Sequence, residues 1–117
     1  MTTIVANTQV TTGITIFTVA PENQQQLVDL IVRAAEEIAQ SQPGFISINV
    51  HKSLDKTHVI SYSQWENRQA FDDILQNTTV IPYVQQILKI ATIKPNFYEV
   101  VAVIHSDNQS REQSGKL

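Results

Sequence analysis

F-I-S-I-N-V-H-K-S-L-D-K-T-H-V-I-S-Y-S-Q-W-E-N, residues 45–67, contains two β-like stretches separated by a short polar turn. In the first, Ile46, Ile48 and Val50 fall on one face, and Phe45, Ser47, Asn49 and His51 on the other. Side chains of a strand alternate with period two, so Phe45–Lys52 and His58–Gln64 read as the arms of a hairpin closed by 53–57. On the returning arm Ser61, Ser63 and Trp65 share one parity, while His58, Ile60 and Tyr62 share the other. Trp65-Glu66-Asn67 ends the arm.

Upstream of the hairpin, Leu27, Leu30, Ile31, Ala34 and Ile38 recur at helical spacing, with Glu36, Glu37 and Gln40 on the wet side. Asn23, three residues before Gln26, is a candidate cap, and Gln42-Pro43-Gly44 stops the helix. Before it, Val10–Val19 is rich in β-branched residues and reads as a strand: Ile14 and Ile16 point one way, Phe17 and Val19 the other. Downstream, residues 67–76 form a short helix with Ala70, Phe71, Ile74 and Leu75 inward. A second helix carries Ile81, Val84, Ile87, Leu88 and Ala91, with Pro82 in its first turn. Phe97–Ile104 (F-Y-E-V-V-A-V-I) is predicted to be the last strand. The order β-α-β-β-α-α-β predicts an α+β, ferredoxin-like fold: a four-stranded antiparallel sheet with helices on one face. The first and last strands carry apolar residues on both faces. A second copy of the same sheet is therefore expected to cover the open face, giving a homodimer.

Of the 117 residues, 42% are hydrophobic and 16% charged, which is the balance of one globular domain, expected over 10–104. Segments 1–9 and 105–117 are expected to be loosely ordered. A net charge of −3 argues against a nucleic-acid partner, and the absence of cysteine excludes thiolate chemistry and Cys-type zinc sites. Neither a signal-like start nor a membrane-length apolar run occurs, so a cytoplasmic protein without a membrane partner is expected. Three glycines build no phosphate loop, and neither Ser61 nor Ser63 sits on a nucleophile elbow, which argues against a serine hydrolase. Asp72 and Asp73 diverge on consecutive helix positions and read as a solvated face.

Pro43-Gly44-Phe45, the Ser53-Leu54-Asp55 turn, Tyr62-x-x-Trp65-Glu66-Asn67, Gln69-Ala70-Phe71 and the 80–90 helix follow one another in an order and spacing that resemble the antibiotic biosynthesis monooxygenase family. The resemblance covers about Thr12 to Ile104 and implies a dimeric α+β barrel with a ligand cleft between sheet and helices. It also implies oxidation of polycyclic phenols or hydroquinones by O₂ with no cofactor and no metal. The family's site residues carry over as Trp65 and His51; Ser61, Phe71 and Gln85 stand where the pattern has Asn, Tyr and Arg. In the haem-degrading branch a tryptophan and an iron-ligating histidine occupy the places of Ile74 and Val84, which argues against that chemistry.

By this reading His51 is a candidate general base and Ser61 a hydrogen-bond donor to a developing oxyanion. Trp65 and Phe71 wall a flat ligand, with Ser63 beside them and Tyr83 at the cleft mouth. Each has a plainer alternative: Trp65 as a core plug, the serines as close-packing residues, and Ser47, Asn49 and His51 as solvated groups. His51, His58 and Asp55 around the hairpin turn lack the convergence of a metal site. Two functions stand side by side, a cofactor-independent oxygenase for a small aromatic or quinol-type metabolite and a non-catalytic dimeric ligand-binding or assembly module.

Overall fold

A computed structural model describes residues 10–107; the expectations for 1–9 and for 108–117 lie outside the described residues. Along the chain run β1 (Thr11–Val19), α1 (Gln24–Ser41), β2 (Phe45–Lys52), β3 (His58–Trp65), α2 (Arg68–Asp72), α3 (Ile81–Leu88) and β4 (Ala91–Tyr98). Short 3-10 turns at Pro21–Asn23 and Asp73–Gln76 lead into α1 and follow α2. The strands lie in the order β2-β3-β1-β4, every neighbour antiparallel, which is the ferredoxin-like α+β arrangement read from the sequence.

The inward stripe of α1 is the predicted one: Leu27, Leu30, Ile31, Ala34 and Ile38 are buried. At its start, the chain does not use Asn23 as a side-chain cap. The neighbouring Gln24 is buried instead, and its Nε2 donates to the carbonyls of Ser53 and His58, both at 3.0 Å. Helix and hairpin turn are thereby pinned together by a satisfied buried amide. At the far end, Gln42 Nε2 donates to Ala70 O, and Asn77 Nδ2 donates to Gln42 Oε1. Gly44 turns the chain into β2 at φ +82°, and a Cβ there would stand 2.6 Å from that of Ala70. That position accepts no side chain.

Two readings are corrected. The last strand is Ala91–Tyr98, not 97–104. Pro95 and its polar neighbours Lys94 and Asn96 mask it in the sequence, yet β4 is an edge strand, where a proline is tolerated. The more β-like 100–104 run lies past the sheet, with Val101 and Ile104 exposed. In β2, a bulge between Phe45 and Ser47 breaks the alternation. Phe45 therefore pairs with Trp65 and joins the face of Ile48 and Val50, while Ile46 is left exposed.

Candidate active site

Directly paired residues of an antiparallel ladder share a face, so the register sorts every candidate. Toward the helices point Gly13, Thr15, Phe17 and Val19 of β1 and Val59, Ser61, Ser63 and Trp65 of β3. Two hydrophobic clusters form above them. One gathers Phe17, Val19, Leu27, Leu30, Ile31, Val59 and Ile87; the other gathers Ala34, Ile38, Trp65, Ala70 and Val80. Between them lies a cavity of about 270 Å³ with an almost entirely apolar wall.

Trp65 bounds this cavity and is only 1% exposed. Its ring makes edge-to-face contacts with Phe45 (5.3 Å between centroids) and Phe71 (5.5 Å), and Phe71 repeats the contact with Phe97 (4.9 Å). Trp65 Nε1 donates to Ser63 Oγ at 2.9 Å, and Ser63 Oγ donates to Gly13 O at 3.2 Å. Ser63 thus lines the cavity but spends its proton on β1 and a lone pair on the indole. Its first duty is to orient Trp65. Core plug and cavity wall are therefore one role for this tryptophan, not two.

Ser61, also lining the cavity, makes no side-chain hydrogen bond among the described residues. Phe71, Ile74 and Val84 add apolar wall. Asp72 stands at the rim, exposed, its Oδ1 3.5 Å from Arg68 Nε. The Arg68 guanidinium lies 3.9 Å from the Phe97 ring centre. Asp72 is the titratable side chain that reaches the cavity among the described residues.

Two expected members lie elsewhere. His51 pairs with Ile60 on the opposite face of the sheet, where it is exposed and shares no wall with Ser61 or Trp65. Its parity, opposite to that of Val50 and hence of Ser61, is the cause. Tyr83 packs against both clusters from α3 without bounding the cavity, and Gln85 is exposed. Thr15 is the residue the sequence reading missed: it lines the cavity and pairs with Ser61. Its shared parity with Phe17 was the available signal. Around the hairpin turn, Asp55 accepts from Thr57 Oγ1, Ser53 Oγ and Thr57 N, which hold its carboxyl down to about 2. No three metal-ligating side chains cluster among the described residues.

Residues 12–86 match the family model for antibiotic biosynthesis monooxygenase. The chain belongs to that family. It is 32% identical over 100 residues to the tetracenomycin-F1 monooxygenase of Streptomyces glaucescens, covering 86% of this chain and 89% of that protein. Among solved structures it resembles the ActVA-Orf6 monooxygenase of Streptomyces coelicolor in complex with nanaomycin D. That match has a TM-score of 0.71 and 25% identity, over 85% of this chain and 95% of the other. SnoaB, a cofactor-independent oxygenase from Streptomyces nogalater, shares the fold with a TM-score of 0.69 at 20% identity, over 83% and 98% of the two chains. No helix among the described residues is long and apolar enough to cross a membrane.

Proposed function

We propose that this family member is a cofactor-independent monooxygenase that oxidises a small aromatic or quinol-type metabolite with O₂. The observation that carries the reading is the apolar cavity beside Trp65 and Phe71, with the uncommitted hydroxyl of Ser61 on its floor. Flat apolar walls with a few convergent polar groups are what a polycyclic phenol needs. The name of the tetracenomycin-F1 relative supports the same class. In the reaction, a ring CH₂ becomes C=O; one oxygen atom of O₂ enters the product and the other leaves as water. Four electrons pass from the ring carbon to O₂. The substrate supplies the electron density once its acidic proton has left. Ser61 donates to the ring oxygen as negative charge develops there, and the dry wall strengthens that bond. His51 is assigned no step, because it stands across the sheet. The proton leaves to water at the rim beside Asp72.

A non-catalytic binder of the same ligands is the second reading. It is favoured by one observation: no histidine, lysine or arginine lines the cavity among the described residues. Incubation with a tricyclic anthrone under ¹⁸O₂ separates the two. One labelled atom per product molecule and one O₂ consumed per turnover support the oxygenase; tight binding with no uptake overturns it in favour of the binder.

The open face is read as a homodimer interface. Ile16 and Ile60 lie half exposed there, and the buried Tyr62 hydroxyl finds no partner among the described residues. Sedimentation of the Ile60→Lys variant as a monomer, against a dimeric parent, is the expected result. A monomeric parent would overturn this reading.

A further inference from the structure

We infer that Thr15 and Ser61 act together as a two-hydroxyl anchor for one oxygen of the ligand, and that the part of the ligand held in the cavity is uncharged. This rests on the proposed aromatic-ligand reading and names the ligand class more closely.

Thr15 and Ser61 are direct partners in the β1–β3 ladder, both turned toward the helices, and they are 7% and 5% exposed. Partners of this kind hold their Cβ atoms about 4.5–5.5 Å apart, a span that one oxygen atom bridges. Neither side chain makes a hydrogen bond within the described residues, and both bound the cavity. The next pair along the ladder behaves differently. Gly13 and Ser63 are bonded to each other, and Ser63 is also taken by Trp65. The floor therefore holds one closed pair and one open pair.

Packing alone does not explain the open pair. A valine at 15 would fill the same space and suits a strand at least as well. Both hydroxyls open onto the cavity and are not sealed in the core, and around them the wall is carbon: Phe17, Ile31, Ala34, Trp65 and Ile93. A carbonyl or phenol oxygen on the edge of a ring has two lone pairs and accepts both O–H groups. The ligand binds neutral; charge that develops during reaction is spread over the rings, and both bonds strengthen with the share that falls on that oxygen. A carboxylate is a poor fit, since two neutral donors do not replace the hydration of a full charge in an apolar hollow. No cation borders the cavity among the described residues to do so.

The test is calorimetric titration without O₂, using anthrone, anthracene and anthracene-9-carboxylate as probes. The unmodified protein is expected to bind anthrone and to bind the carboxylate at least tenfold more weakly. Thr15→Val and Ser61→Ala should each weaken anthrone binding by about threefold to tenfold, the range of one net hydrogen bond. The double variant should lose less than the product of the two, because both act on one atom. Anthracene, which offers no oxygen, should be indifferent to Thr15→Val. Thr15→Ser should retain the parent affinity, and Thr18→Val on the open face serves as the control. Unchanged anthrone affinity in Thr15→Val beside a loss in Ser61→Ala overturns the paired anchor, as does an equal loss for anthracene. Equal binding of anthrone and the carboxylate overturns the neutral-ligand claim. Failure of the unmodified protein to bind any of the three probes overturns the proposed function as well, which separates the two failures.

Discussion

The two hydrophobic clusters beneath the helices are built on one sheet face, yet the cavity between them takes more of its wall from the Trp65 cluster than from the Leu27 cluster. Around Leu27, large aliphatic side chains from α1, β1, β3 and α3 close on one another. Toward Trp65, α1 presents Ala34 and Ala35 between Ile31 and Ile38, and the facing strands present Thr15, Ser61 and Ser63, so several positions on both sides of the cavity are small. Interiors pack to near-crystal density unless the sequence forbids it, and here the sequence forbids it. Both ends hold the fold together, and the Trp65 end also borders most of the open space. The difference teaches that the hollow is specified residue by residue, by deleting volume on both sides of one interface.

The comparison breaks first at Trp65. Trp65→Ala removes a fully buried ring and three of its supporting contacts, and should cost about 3–5 kcal/mol of stability; urea unfolding measures it. A loss under 1 kcal/mol would mean that the hollow end bears no structural load. At the other end, Leu27→Ala should cost about 2–5 kcal/mol and leave ligand affinity unaltered once folded protein is selected. Should affinity fall with it, the two ends are one unit. Ala34→Leu sharpens the contrast from the other side. It should cost no more than about 1–3 kcal/mol, because the added carbon enters existing space, while abolishing anthrone binding. Retained binding would place the ligand elsewhere.

Asp55 gives the smallest effect and lies outside both ends. Its carboxyl is held at about 2 by Thr57 and Ser53, below the ordinary value of about 3.9. A lowered folded-state value means that the stabilising contribution is complete above the ordinary carboxylate value. It is lost as pH falls through about 2. The melting temperatures of the parent and of Asp55→Asn should therefore differ slightly at neutral pH and converge on acidification. A gap that widens in acid would contradict the turn's hydrogen bonding.

Much of this is legible in the sequence. The period of α1, the hairpin and the Gly44 turn carry the fold, because a helix stripe and a strand alternation are local signals. Phe97–Ile104 misled for the converse reason: Val100–Ile104 has the composition of a strand but no place in the sheet. The true β4 wins its place through pairing with β1, although it contains Pro95. For the cavity, Ser61, Trp65 and Phe71 were readable from parity and family resemblance. Thr15 was not singled out, since its partnership with Ser61 depends on the β1–β3 register, a non-local quantity. His51 matches the family pattern by position, while the direction of its face is open in the sequence; the β2–β3 register turns it away from Ser61 and Trp65. Asp72 read as a solvated face because a rim is solvated; only tertiary structure brings a cavity to it.

The bond from Trp65 to Ser63 has a consequence in the time domain. The indole proton is shut away from water and held by a hydroxyl that is itself tied to the backbone of β1. In D₂O it should exchange only when this end of the layer opens. With a single tryptophan in the chain, its side-chain N–H gives one isolated resonance. The decay of that signal times the opening of the Trp65 end of the layer.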